Sequence, residues 1–169
     1  RALRAEKCDI EDFMALISPA AERYLEPMAQ MSQRYTYARF GKTMSMFIPL
    51  YLTNSCINSC LYCGFHAENH IPRTILTPEQ IASECQAIKS LAPFENILLV
   101  TGENPYRAGV EYIAEAVRIA KRYFDNVKIE VMPLDAPDYK SLKGCGLNGV
   151  ICFQETYNRA RYNIYHPRG

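Results

Sequence analysis

The chain has 169 residues, is 49% hydrophobic and carries a formal charge of +1. That is enough apolar material for one substantial core, and it gives no electrostatic case for nucleic acid or an anionic membrane as partner. The apolar run from Met46 to Leu52 has a strand's length and no run reaches membrane-span length.

The first 40 residues read as helix. Asp9 is placed to cap a short helix carrying Phe13, Met14, Leu16 and Ile17. Ser18-Pro19 restarts a helix, with Ser as cap and Pro at the first helical position. Tyr24, Met28, Met31, Tyr35 and Ala38 recur at helical spacing and form one packing face, with Pro27 expected to kink or interrupt the helix and Gly41 to end it. The period then changes. Met46–Thr53 reads as a buried strand that runs into a cysteine-rich loop. Thr77-Pro78-Glu79-Gln80 is a capping box opening a helix with Ile81, Cys85, Ile88 and Ala92 on one face. Asn96–Thr101 is a second strand, 109–124 a second helix, Val127–Met132 a third strand, and Asp135-Ala136-Pro137 starts a third helix ending at Gly144 and Gly146. Gly149–Gln154 reads as a fourth strand, with another helix beginning near Tyr157.

Strand–helix alternation of this length means a parallel α/β sheet, either doubly wound or the first half of a (β/α) barrel. No G-x-G-x-x-G follows the first strand, which weakens a Rossmann reading. The expected organisation is a helical lead-in, 1–43, and four βα units, 44–169. Because the chain opens on Arg1 and stops in a loop at Pro167-Arg-Gly169, it is expected to be the N-terminal piece of a longer protein.

Cys56, Cys60 and Cys63 stand in Asn54-Ser-Cys-Ile-Asn-Ser-Cys-Leu-Tyr-Cys-Gly-Phe65, a C-x3-C-x2-C spacing that lets three thiolates converge on one metal centre. Three is one short of a closed tetrahedral zinc site and one short of a fully thiolate-ligated cubane. A [4Fe–4S] cluster held this way keeps one iron open for a ligand. Zinc completed by His66 or His70 is the alternative. The total of seven cysteines is odd and the start does not read as a secretory leader, so reduced thiols in the cytoplasm are expected rather than a disulfide framework. Cys85, on an apolar helix face, and Cys152, within a strand, are expected to be structural.

In a parallel barrel, chemistry collects at the C-terminal ends of the strands. Here those ends carry the cysteine loop, Thr101-Gly102-Glu103, Glu130 to Pro133, and Gln154-Glu155-Thr156. The alternation of Val127, Ile129 and Val131 with Lys128, Glu130 and Met132 aims Glu130 into the barrel. There it serves either a site or a salt bridge.

With its aromatic Tyr62 before the last cysteine and Gly102-Glu103 after the second strand, the chain resembles the radical S-adenosylmethionine (SAM) enzymes. Within them it resembles the tyrosine lyases of thiamine biosynthesis, the 2-iminoacetate synthase or ThiH family. The matching segments are Ile48-Pro-Leu-Tyr-Leu-Thr-Asn54, Tyr62-Cys-Gly-Phe65, Leu98-Leu-Val-Thr-Gly-Glu103, Glu130-Val-Met-Pro-Leu134 and Gln154-Glu-Thr-Tyr157, with Leu16-Ile-Ser-Pro-Ala-Ala21 ahead of them.

The resemblance implies a [4Fe–4S] cluster on Cys56, Cys60 and Cys63, with SAM on the open iron. It places Gly102 and Glu103 at the SAM methionine, Tyr62 beside the adenine, Glu155 with Gln154 near the ribose, and Glu130 facing the cavity. It implies cleavage of the Cα–Cβ bond of L-tyrosine to 2-iminoacetate and p-cresol, thiazole synthase as partner, and a one-electron donor such as flavodoxin or ferredoxin. No nucleic-acid or membrane partner is implied. The common Gly-Gly-Glu of the superfamily reads Thr101-Gly-Glu here. Alternatives are a HydG-type hydrogenase-maturation lyase, a tryptophan lyase, or a non-catalytic metal-binding half-barrel. Arg73, His66 and His166 are possible partners of the tyrosine carboxylate, or else loop residues.

Overall fold

The computed structural model describes residues 1–5 and 7–168. It divides into two compact units, one up to Met44 and one from Ser45 onward.

The first unit holds a 3-10 turn, Ala2–Arg4, then helix α1, Ile10–Leu16, a second 3-10 turn, Pro19–Tyr24, and helix α2, Leu25–Phe40. Asp9 caps α1 in a capping box with Asp12, and Arg1 pairs with both carboxylates, at 3.1 and 3.4 Å. Ser18 does not act as the expected cap, because its hydroxyl donates back to the Ala15 carbonyl at 2.7 Å. The segment after it is accordingly a 3-10 turn rather than α-helix. Pro27 falls in the first turn of α2, where its missing N–H has no intrahelical role. The interruption therefore comes ahead of it, between Tyr24 and Leu25. Of the expected apolar face only Met28 and Met31 are half-buried, while Tyr24, Tyr35 and Ala38 are exposed. Gly41, at a φ of 63°, ends α2.

The second unit alternates strand and helix: β1, Phe47–Thr53; α3, Pro78–Leu91; β2, Asn96–Thr101; α4, Val110–Ala120; β3, Asn126–Glu130; α5, Ala136–Gly144; β4, Gly149–Val150; and α6, Arg159–Tyr165. The sheet is parallel throughout, in the order β1-β2-β3-β4. A doubly wound sheet reverses its strand order at a switch point. This one runs in sequence without reversal, and residues of α3, α4 and α5 pack into one core with alternate strand residues. That core joins Leu50, Leu52, Ile97, Leu99, Val127 and Ile129 to Ile81, Ile113, Val117 and Leu142. This is the winding of a (β/α) barrel.

Local signals place the helices. Thr77 and Gln80 close a complete capping box with Pro78 at the first position of α3. Three alanines and three larger apolar residues give α4 a slim, apolar inner face. Its Tyr112 hydroxyl donates to the Leu52 and Leu76 carbonyls, at 3.2 and 2.9 Å, tying the helix to the end of β1. At the N-terminal end of the sheet, asparagines stitch the strands together. Asn126 donates to Asn96 at 2.8 Å and Asn148 accepts from Val127 N at 2.9 Å.

The sheet's other face carries Phe47, Pro49, Tyr51, Leu98, Val100, Lys128 and Glu130 by strand register. Phe47 and Tyr51 are 55% and 54% exposed there.

The fourth strand is shorter than the expected 149–154. β3 ends at Glu130, so the last link of the ladder is Ile151 N to Ile129 O at 2.8 Å, and residues 152–154 have no strand to pair with. Cys152 is consequently exposed and outside any strand. No helix among the described residues is long and apolar enough to cross a membrane.

Cys85 is fully buried, and burial pushes its thiol up to about 11, well away from reactivity. Its replacement by alanine is expected to lower stability by about 1–2 kcal/mol in denaturant unfolding, with no change in bound iron. Iron loss from folded Cys85→Ala protein would contradict a purely packing role.

Candidate functional site

The site grows from the C-terminal end of β1. The register slips between Tyr51 and Thr53, a bulge that bends the strand as it leaves the sheet. The chain runs through the three cysteines and returns to bridge Thr53 at Ile75. The neck of this loop is pinned from both sides. The Thr53 hydroxyl donates to Thr74 O at 2.7 Å, the Thr74 amide donates to the Asn54 side chain at 2.8 Å, and that side chain donates to Pro72 O at 2.9 Å.

Cys56, Cys60 and Cys63 are all half-buried on this loop. Burial and then the nearby Cys63 and Cys56 thiols push the Cys60 thiol above its ordinary value. Cys60 therefore sits within electrostatic reach of the other two sulfurs. A backbone amide, that of Phe65, already points at Cys63 Sγ at 3.4 Å.

β2 supports the loop from beneath. The Gly102 amide donates to Thr53 O at 3.0 Å. A Cβ at Gly102 would stand 2.4 Å from the Ser55 carbonyl oxygen and 3.1 Å from the Cys56 Cβ. Glu103 is engaged twice, accepting from Ile57 N at 2.8 Å through its carbonyl and from the Asn58 side chain at 2.8 Å through its carboxylate. Buried Asn104 donates to the buried Ser55 hydroxyl at 2.9 Å. Thr101 Oγ1 and Asn104 Oδ1, on either side of Gly102-Glu103, are buried without a hydrogen-bond partner among the described residues.

The end of α6 supports the loop from another side. Ser59 N donates to Arg168 O at 2.8 Å and Leu61 N to Tyr165 O at 2.9 Å. The Tyr62 hydroxyl is hydrogen-bonded to His166 Nε2, and His166 stacks on Tyr162 with ring centroids 4.1 Å apart. Glu68 accepts from the Ser59 hydroxyl at 2.6 Å and pairs with Arg168 and His66. The Ser59 and His66 hydrogen bonds pull its carboxyl down to about 2.

Of the other residues singled out in the sequence, Glu130 is half-buried on the open face of the sheet, with no ion pair among the described residues. Glu155 is exposed but close enough to Tyr62 that burial, the Cys60 thiol and this carboxylate together raise the phenol well above its ordinary value. Gln154 donates to Thr156 O at 3.2 Å and lines a cavity of about 230 Å³ with Tyr157, Arg159 and Tyr162. Arg73, His66 and His166 all serve the cysteine loop. Arg73 donates to four backbone carbonyls, at 2.7 to 3.0 Å.

Nothing in the sequence pattern marks Asn58, Ser55 or Asn104, since a hydrogen bond between distant side chains leaves no periodicity. A polar residue directly after Gly102-Glu103 was the one available hint.

Among the described residues no three His, Cys, Asp or Glu side chains close on a point as a single metal ion needs. Three half-buried thiols on one pinned loop, with a backbone amide at Cys63 Sγ, are the donor type that an iron–sulfur cluster takes.

The Radical SAM superfamily model matches residues 50–169. The chain belongs to the radical SAM superfamily. Members of this superfamily use a [4Fe–4S] cluster together with SAM. Over all 169 residues the chain is 46% identical to the 2-iminoacetate synthase of Salmonella typhimurium and 45% identical to that of Escherichia coli K12, covering 45% of each relative's length. The chain thus spans about half the length of these curated relatives. Among solved structures it is similar to HydG, a maturase of the [FeFe]-hydrogenase, with a TM-score of 0.89 at 26% identity over 99% of this chain and 38% of that one. The radical SAM fold expected from the sequence is therefore the one present.

Gly102→Ala is expected to lower stability by about 1–3 kcal/mol, because the added carbon meets backbone rather than a movable side chain, and to reduce iron bound on reconstitution. Gly64→Ala, with open space around its Cβ, should stay within about 0.5 kcal/mol of the parent. Urea unfolding of iron-free protein checks both. Equal behaviour of the two variants would mean that the Gly102 contact does not constrain the loop.

Proposed function

We propose that the protein is a radical SAM lyase that cleaves the Cα–Cβ bond of L-tyrosine to 2-iminoacetate and p-cresol, for the thiazole part of thiamine. The observation that carries this reading is 46% identity to a 2-iminoacetate synthase along every residue of the chain. The arrangement at the strand ends supplies the chemistry that such a lyase needs.

In this reading Cys56, Cys60 and Cys63 hold the [4Fe–4S] cluster, and the methionine end of SAM lies at Gly102 and Glu103. Tyr62 lies beside the adenine, Glu155 and Gln154 near the ribose, and Glu130 faces the cavity. When bound, the cluster and SAM supply a one-electron cleavage that yields a hydrogen-abstracting radical. The chain's own residues orient and shield. Gly102 and Asn104 fix the loop's height on the sheet, and Glu103 holds Asn58. The Tyr62–His166 contact sets the aromatic ring against the site. The open face, with Tyr51 and Glu130, is where substrate would sit, held close enough that only one hydrogen is in reach.

A cytoplasmic setting, thiazole synthase as the acceptor of the unstable iminoacetate, and flavodoxin or ferredoxin as electron donor complete the reading. Its helical lead-in is residues 1–43 and its barrel units are 44–169.

A second reading, a hydrogenase-maturation lyase, draws on the likeness to HydG. The much higher identity to the thiamine enzymes favours the first.

Anaerobic reconstitution of the whole protein should give about four irons per chain, lost in Cys60→Ala. With SAM, L-tyrosine and a one-electron reductant, p-cresol should form, and glyoxylate should appear as the iminoacetate hydrolyses. Carbon monoxide or cyanide would instead identify the maturation chemistry, and indole products from tryptophan the other lyase. Stoichiometric zinc without labile sulfide would remove the cluster reading altogether.

A further inference from the structure

Arg73 lies on the return limb of the cysteine loop, half-buried. Its Nη1 donates to the carbonyls of Asn54 and Phe65, both at 2.7 Å, and its Nη2 to those of His66 at 2.7 Å and Asn69 at 3.0 Å. Asn54 precedes the first cysteine and the other three acceptors follow the last. One planar guanidinium thus spans the two limbs between which all three thiols hang. Among the described residues no carboxylate pairs with it, so its hydrogen bonds go to backbone oxygens. Those carbonyls lie in irregular chain outside any ladder; His66 O and Asn69 O each also accept one turn amide, at 3.1 and 3.0 Å, while Asn54 O and Phe65 O have Arg73 as their one donor among the described residues. A fixed fork of five donors can meet several at once, whereas a lysine ammonium presents three donors from a single point.

We propose that Arg73 is a positioning residue that builds the cysteine loop before any cluster is bound, and that it tunes the bound cluster through Phe65. The link is short. Arg73 holds the Phe65 carbonyl, and the amide of the same residue points at Cys63 Sγ at 3.4 Å. Amide hydrogen bonds to cluster sulfurs stabilise the reduced, more negative state and so raise the reduction potential. The inference rests on the cysteines being cluster ligands, but its first arm needs no cluster.

That arm is amide hydrogen exchange on the full chain prepared without iron. The Ala67 amide, bonded to Asn58 O at 2.7 Å, and the Thr74 amide, bonded to the Asn54 side chain at 2.8 Å, should be protected in the parent protein. In Arg73→Lys both should exchange about tenfold faster or more, the factor expected for losing a hydrogen bond from a charged donor. The β2 and β3 amides should keep their protection.

The second arm is redox titration after reconstitution. Arg73→Lys, which keeps the charge, should shift the cluster to a more negative potential and lose iron faster to a chelator. Coil-rate exchange of Ala67 and Thr74 in the iron-free parent overturns the proposal, and that result stands even if the variant fails to fold. Parent-like protection and potential in Arg73→Lys overturn it too, since any cation would then do. A parent protein that takes up no cluster refutes the ligand reading of the cysteines, and the exchange arm still decides the role of Arg73.

Discussion

The approach of Gly102 to the Ser55 carbonyl leaves no room for a side chain, with a Cβ position only 2.4 Å from that oxygen. The two nearest atoms belong to the Ser55 backbone carbonyl, which cannot rotate away as a side chain can, and the next is the Cys56 Cβ, whose position the backbone fixes. The height of the cysteine loop above the sheet is therefore set by β2, and β2 is set by the core. Ile97 and Leu99 are buried between β1, β3 and the helices, so a displacement of the loop would have to travel through close-packed residues. The Thr53–Gly102 hydrogen bond and the Asn104–Ser55 pair repeat the same constraint with polar groups.

Electrostatics makes that rigidity useful. Gathering three thiols raises the pKa of Cys60 through burial and through the other two sulfurs, so the loop resists becoming an assembly of three thiolates on its own. Ligation requires deprotonation, and a bound metal group supplies the compensating charge. Two of the nearby carboxylates are kept occupied by polar partners, Glu68 by Ser59, His66 and Arg168, and Glu103 by Asn58. These two side chains are thus less free to compete with the three sulfurs for a metal group.

The parts that the sequence made legible are those with local or periodic signals. The Thr77 capping box, the alternation along β3 and the C-x3-C-x2-C spacing each act within a few residues, and each appears where expected. Ser18 misled because its hydroxyl had a carbonyl three residues back to bond instead. The fourth strand misled because its apolar pattern continues to Phe153, while the length of a strand is decided by the neighbour it pairs with, and β3 stops at Glu130. The supports of the loop were illegible for another reason. Arg73 binds carbonyls, which every residue has, and Glu103–Asn58 and Arg168–Glu68 join positions 45 and 100 residues apart. Only the side-by-side stacking of the βα units brings such pairs together.

That division also explains how similarity of fold and identity of function part company. HydG matches nearly all of this chain in space at 26% identity, because the parallel sheet and the loop on its first strand are demanded by the cofactor chemistry common to the superfamily. A fold so constrained says little about the substrate. The hydrogen bonds that support the loop come from residues 53–74, 101–104 and 162–168, and the open sheet face meets the loop where the Tyr51 ring packs edge-on against Phe65, centroids 5.8 Å apart. Val100 and Glu130 on that face make none of those hydrogen bonds, whereas a change at Tyr51 reaches Phe65, whose amide points at Cys63 Sγ. In the tyrosine-lyase reading proposed above, selectivity for the substrate would fall to residues such as Glu130 that the sheet presents but does not itself need for packing, while the loop and its supports would serve the cluster.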